Sequence, residues 1–279
     1  MLPAGSIPQQ NPWHVARGFA FMYLPYPISL FPVAMSTHIL PLPWDSSFLG
    51  FPVGRLQGSH LSTVELRDTL QAAHDEGWAL LYWMVDPNDA ESLAAAQGNR
   101  LHVTDRRGHY ELTFPEGLPQ PLPVGVSSTV QLSPALMELA LQSGQQSRFR
   151  LDPHFAKGVY EGLYAHWIAN SLSGEMAHDV LVFRTSHDSP ETGMLTLCLR
   201  PEHVEIGLIA VAPGSQNHGI GTLLVEGARQ RALAWSRNKL LAVTQLDNEG
   251  SCRFYEHQGF RLAREEHLYH LWLQEIQTP

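Results

Sequence analysis

An apolar run that ends in Ile209, Ala210 and Val211 meets the turn Gln216-Asn217-His218-Gly219-Ile220-Gly221, after which Ile220, Leu223, Leu224, Ala228, Ala232 and Trp235 recur at helical spacing. A strand, a glycine-bearing turn and a helix in that order suit phosphate. The first helical turn leaves backbone N–H groups without intrahelical partners, and the helix dipole adds partial positive charge. Gly219 and Gly221 are expected to permit close backbone approach and left-handed angles. An ordinary strand-to-helix connection has the same outline, so the turn alone does not decide the chemistry. The Gly-Lys-Ser/Thr of a Walker loop is missing, and the three-glycine spacing of a dinucleotide fingerprint is not met. Cys252 reads either as an acyl-accepting nucleophile or as a small apolar helix residue, and no Cys-His pairing favours the first. The fifteen histidines form no compact ligand set. His267 and His270 would face opposite ways on a strand, and no metal is expected.

After a short apolar strand at 240–244 comes a segment that reads as a helix capped at Asn248 and stopped at Gly259. Together the two segments give Gln-x-x-Gly-x-Gly, then Asn-x-x-x-x-x-Phe-Tyr-x-x-x-Gly-Phe. That pair resembles the GNAT superfamily of acetyl-CoA-dependent N-acetyltransferases. The resemblance implies acetyl-CoA as cofactor, with Ile209, Ala210 and Val211 offering backbone groups to its pantetheine arm. It also implies that Gln216, Asn217, His218, Gly219, Ile220, Gly221 and Thr222 surround the pyrophosphate, that Asn248 touches the cofactor arm, and that Tyr255 lies near the thioester sulfur. Further runs, Ser147-Arg148-Phe149-Arg150, Tyr164-Ala165-x-Trp167-Ile168, Val180-Leu181-Val182-Phe183-Arg184 and Leu42-Pro43-Trp44-Asp45-Ser46-Ser47-Phe48-Leu49-Gly50, are similar to the bacterial TDP-fucosamine acetyltransferases, which N-acetylate a nucleotide-linked amino sugar. This likeness extends from about Leu40 to Leu273.

The implied reaction needs a neutral amine to attack the thioester and an acid to protonate the leaving thiolate. A phenol with a pKa of about 10 is close enough to a thiol's ~8.5 to serve, which suits Tyr255. Outside the motif the same residue would read as a packed aromatic. Glu205, at the start of the strand, is the candidate base by resemblance to superfamily members with a carboxylate there. A solvent-exposed strand end is the other reading, and water or desolvation of the ammonium would dispense with a strong base. Arg148, Phe149 and Arg150 are expected either to set a guanidinium on a sugar-nucleotide phosphate and a ring against the base, or to cap a helix and fill a domain interface. The acceptor implied is a small-molecule amine, a sugar nucleotide. A peptide or protein N-acetyltransferase and a noncatalytic acyl-CoA-binding regulatory module stay open as alternatives.

The chain has 279 residues, 44% of them hydrophobic, enough for two modest domains. Its net charge of −9 argues against a nucleic-acid partner and leaves an anionic small molecule open. Cys198 and Cys252 make no disulfide framework, which fits the cytoplasm. Residues 1–34 read as an irregular extension: the apolar stretch 19–34 is broken by Pro25, Pro27 and Pro32 and is too short to span a membrane, and Met35 is an alternative start. Residues 35–114 are expected to form a small α/β domain. Its elements are a strand at 53–56, a helix at 62–76 with a Ser62–Glu65 capping box, a buried strand at 79–85, a helix at 88–96, and a hairpin of 101–104 with 110–114. A Pro/Gly linker follows at 115–126. In the acetyltransferase domain, 127–279, helices at 134–142 and 155–172 precede strands at 180–184, 193–199 and 204–212 in an antiparallel meander, and 262–273 adds a last strand. The fold class expected is α/β (α+β), a GNAT fold whose mixed, mostly antiparallel central sheet is flanked by helices, with the smaller N-terminal α/β domain beside it. A homodimer is left open.

Overall fold

The computed structural model describes residues 39–274, so the expected extension at 1–34 and the alternative start at Met35 lie outside the described residues. In chain order the elements are β1 (Ile39–Pro41), α1 (Pro43–Leu49), β2 (Val53–Leu56), α2 (Thr63–Asp75), β3 (Leu80–Val85), α3 (Ala90–Gly98), β4 (Asp105–Thr113), β5 (Val126–Ser128), α4 (Pro134–Ser143), α5 (Arg148–Leu151), α6 (Val159–Leu172), β6 (Asp179–Phe183), β7 (Gly193–Leu199), β8 (Val204–Val211), α7 (Ile220–Ala234), β9 (Lys239–Gln245), α8 (Glu249–His257) and β10 (Arg261–Trp272). The ten strands form one sheet in the order β1-β2-β3-β10-β4-β9-β8-β7-β6-β5. All neighbours are antiparallel except β2–β3 and β8–β9. This is the expected mixed, mostly antiparallel sheet. It runs across 115–126, because β4 lies before that segment yet pairs with β9 and β10 after it.

Local chemistry sets many boundaries. Ser62 accepts from the Glu65 N–H and Glu65 bonds back to the Ser62 N–H, the full capping box that opens α2. Ser133 caps α4 with Pro134 at its first turn, and Asn248 caps α8. Alternation then sorts the faces. On one face Tyr82, Leu136, Leu163, Ile168, Val182 and Met194 form a core under α1, α4 and α6. On the other, Leu195, Leu224, Ala228, Leu240, Ala242 and Tyr255 pack with α7 and α8, and Leu66, Leu70, Trp83, Ala95 and Tyr269 pack with α2 and α3.

Two expectations are corrected. No hairpin of 101–104 with 110–114 forms: 101–104 lie outside any strand, and 110–113 belong to a single strand, β4, with a partner on each edge. Gly108 falls between the two arms of the expected hairpin, but a Cβ there would stand 2.8 Å from Leu246 and 3.0 Å from Leu262, so the glycine serves close packing inside a strand. The helix expected from residue 155 begins at Val159, behind Gly158 at φ 90°. Among the described residues no helix is long and apolar enough to cross a membrane.

Candidate active site

The parallel pair β8–β9 holds register at Val204↔Leu240, Glu205↔Leu241 and Ile206↔Ala242, then separates although both strands continue. A bulge in β8 is the cause. Against β7, Leu197 pairs with Ile206 and Leu195 with Ile209, so Gly207 and Leu208 together oppose the single residue Thr196. The Leu208 N–H donates to the Thr196 hydroxyl at 2.8 Å, which replaces the ladder bond the bulge removes. The strand bends away from β9. Its phase also changes: Val204 and Ile206 pack on the α7 side, as do Ile209 and Val211 beyond the bulge, whereas Leu208 and Ala210 turn to the opposite core. Past Ile206 the β8 edge facing β9 has no strand partner, and an extended polar chain fits such an edge by main-chain hydrogen bonds.

Beyond Val211 the turn is shaped for an anion. Asn217 has φ 62° and Gly219, the residue before α7, φ 77°; no side chain caps the helix. Residues 216–219 and Thr222 are exposed. Gln216 donates to the Val211 carbonyl at 3.1 Å, and Thr222 accepts from Gln258 at 3.0 Å, which ties the turn to α8. Gly219 needs its left-handed angle, as expected. Gly221 does not: it is helical, and a Cβ there would come within 2.8 Å of the Phe254 ring, so its role is to let α7 and α8 touch.

On α8, Asn248 uses its carboxamide oxygen to accept from the Ser251 N–H at 3.1 Å. Tyr255 is 3% exposed, stacked on Tyr110 at 5.7 Å and met edge-on by Phe260 at 5.2 Å. Burial pushes its phenol well above the ordinary value, so it stays protonated at neutral pH and has a proton to give. Cys252 donates to the carbonyls of Gln245 and Leu246 at 3.5 and 3.7 Å. Ile209, Ala210, Val211, the 216–222 turn, Asn248 and Tyr255 are therefore grouped around the separation of β8 from β9.

The other expected residues lie elsewhere. Glu205 precedes the bulge, and one of its oxygens accepts from Arg200 Nε and Nη2 at 2.8 and 2.6 Å, the other lying 3.3 Å from His203. Arg148 is 4% exposed, with its guanidinium 4.8 Å from the Tyr82 ring and 4.3 Å from that of Phe149. Phe149 packs on Phe155 and Trp167. Of the three expected residues, Arg148, Phe149 and Arg150, only Arg150 faces solvent, where it donates to the Gln145 carbonyl at 3.1 Å. His267 and His270 take opposite faces, and buried His270 bonds Asp152 through Nδ1. Sequence reasoning missed the bulge and the Tyr110 platform. A glycine inside an alternating apolar strand, Gly207, was the signal for the first.

Residues 177–260 match the acetyltransferase (GNAT) family. A spore coat polysaccharide biosynthesis protein, SpsD of Bacillus subtilis (strain 168), is 28% identical over 138 residues, 50% of this chain and 47% of that relative, so the match spans about half the relative's length. The dTDP-fucosamine acetyltransferase of Escherichia coli O6:H1 is 25% identical over 221 residues, 79% of this chain and 92% of that one. A solved GCN5-related N-acetyltransferase from Sphaerobacter thermophilus shares the fold, with a TM-score of 0.53 at 11% identity over 81% of this chain and 74% of that one.

Proposed function

We propose that this chain, which carries a GNAT acetyltransferase domain, moves an acetyl group from acetyl-CoA to the amine of a nucleotide-linked amino sugar by direct attack in a ternary complex. The observation that carries the reading is the opening between β8 and β9: an unpaired strand edge leads to an uncapped helix start at one end, with a protonated phenol on the α8 side. A thioester with a long polar arm and a pyrophosphate matches those features in order. Residues 209–211 hold the arm by main-chain bonds, and the N–H groups at the start of α7 hold the phosphates. The Asn248 side chain lines the arm's path, and Tyr255 gives its proton to the departing sulfur. Bound acetyl-CoA supplies the activated acetyl group. The sugar-nucleotide acceptor is supported by the likeness to the dTDP-fucosamine acetyltransferase, which covers 221 residues of this chain, far more than the matched family segment 177–260. Arg150 is the solvent-facing cation of the 148–150 run and the one that would meet an acceptor phosphate, and the cytoplasm supplies both substrates.

The test is thiol release from acetyl-CoA with TDP-linked amino sugars and, in parallel, a pool of peptide amines. Turnover with the sugar nucleotides is expected. Turnover with peptides alone would replace the acceptor, and acetyl-CoA binding without turnover on either would point to a regulatory module.

A further inference from the structure

We propose that His109 is the base that takes the proton from the attacking amine, with Glu266 as its positioning residue; this rests on the transferase reading above. The assignment comes from sheet register. On β4 His109 pairs with Val243 of β9, the first residue beyond the last β8–β9 pair at Ala242. Antiparallel partners share a face, so His109 stands one strand spacing, about 5 Å, from the free edge that borders the opening. Its chain neighbour Tyr110 pairs with Ala242 and points the other way, against Tyr255. A reacting group in the opening would thus have the Tyr255 side of the sheet on one face and the His109 side on the other, where the His109 ring rests against Arg264 and Glu266 of β10. The His109 face is accessible: its side chain is 27% exposed and Val243 45%.

The surroundings suit a base. Glu266 of β10 sets Oε2 3.6 Å from His109 Nε2. Burial pushes the Glu266 carboxyl up, but His109, Arg264 and Arg107 outweigh it and hold the group below the usual carboxylate range, so an anion stands beside the ring to stabilise an imidazolium. Two cations stand beside the pair. Arg264 lies 3.0 Å from His109 Nε2 and 3.0 Å from Glu266, and Arg107, bound to Asp105 at 3.2 Å, is 4.0 Å from Glu266. The next acid on this face, Glu111, is paired with Lys239 of β9 at 2.8 Å, and the β9 residues nearest His109, Val243 and Gln245, are uncharged. His109 and Glu205 each have an arginine partner, but the one on Glu205, Arg200, is buried, whereas Arg264 beside His109 is 57% exposed.

In the step itself the amine nitrogen forms a bond to the thioester carbon and loses one proton to a His109 ring nitrogen. The carbon–sulfur bond breaks with its electron pair on sulfur, which takes a proton from Tyr255. Solvent then reprotonates the phenolate and discharges the imidazolium, so amine plus thioester gives amide plus thiol.

The experiment compares wild type, His109→Gln and Glu266→Gln in kcat/KM against pH, with acetyl-CoA Kd and thermal melts measured on each. The expected result is a loss of about 100-fold for His109→Gln near neutral pH, shrinking as pH rises and hydroxide takes the proton in its place, with Kd and melting unchanged. Glu266→Gln should lose less and move the acid limb of the profile to lower pH. Undiminished kcat/KM in His109→Gln, or a loss equal at every pH, would overturn the base assignment and leave the transferase standing. Absence of turnover by wild type on any amine would overturn both.

Discussion

Among the described strands two junctions are parallel, and they behave oppositely. β2–β3 pairs along the whole of β2, from Val53↔Leu80 to Leu56↔Trp83, with every β2 residue buried. β8–β9 pairs three residues and opens. Each has a glycine in one strand. At Gly54 a Cβ would meet Ile39, Leu81 and Trp78 at 2.7 to 3.1 Å, so the glycine lets side chains close over the junction. At Gly207 it belongs to the bulge that turns β8 aside. A closed parallel pair satisfies both edges within the chain; an opened one leaves polar backbone for a ligand.

The sharpest separation of the two regions is catalytic. Tyr255→Phe keeps the ring and its packing, and should lower kcat by about 100-fold or more while acetyl-CoA Kd stays within about twofold; steady-state kinetics with calorimetric binding decide it. A pair of glycine substitutions follows. Gly54→Ala and Gly221→Ala each force a Cβ to 2.7 or 2.8 Å from a neighbour, and overpacking of that kind costs about 1–3 kcal/mol. Both should melt earlier, yet only Gly221→Ala should weaken acetyl-CoA binding, because it moves α8 against α7. Equal weakening in Gly54→Ala would break the contrast. Smaller still is Gly219→Ala, which has open space but a left-handed angle. Strain of about 1–2 kcal/mol should appear as roughly 30-fold weaker acetyl-CoA binding at most.

The last prediction concerns acid and the closed side of the sheet. Burial pushes Asp152 up, but bonds from His270, the His154 N–H, Trp272 and the His154 ring outweigh it and hold the carboxyl well below its usual range. The unfolded chain therefore takes up this proton first, so the stabilisation is full above about pH 4 and is lost as pH falls toward the depressed value. His270 acts in the same direction: burial lowers its pKa, the folded state binds its proton less well, and stability falls below about pH 6.5. Asp152→Asn should lower the melting temperature at neutral pH and flatten its fall in acid, as melts across that range would show.

Much of the fold was legible because its signals are local. The Ser62–Glu65 box, the Ser133 and Asn248 caps, the strand 53–56 and the turn before α7 depend on residues within a few positions of one another. The hairpin at 101–114 failed for the converse reason: what makes β4 one strand is pairing with β9 and β10, more than a hundred residues away, and Gly108 fits between the arms of a hairpin until Leu246 is placed against it. In the same way, Arg148 reads as a phosphate ligand or an interior filler until Tyr82 arrives over its guanidinium.

By itself, then, the sequence determined the helix caps, the alternation of the strands, the turn at 216–222 and the pairing of motifs that resembles the GNAT superfamily. Each is a property of short stretches, where backbone angles and the two periodicities leave few alternatives. Only the tertiary structure decided where β8 and β9 part, which carboxylate was already spoken for by Arg200, and that His109 and Tyr110, adjacent in the chain, stand on opposite faces at the edge of the opening. Those facts depend on strand register between distant segments, and a shift of one residue in register would reverse every one of the faces involved.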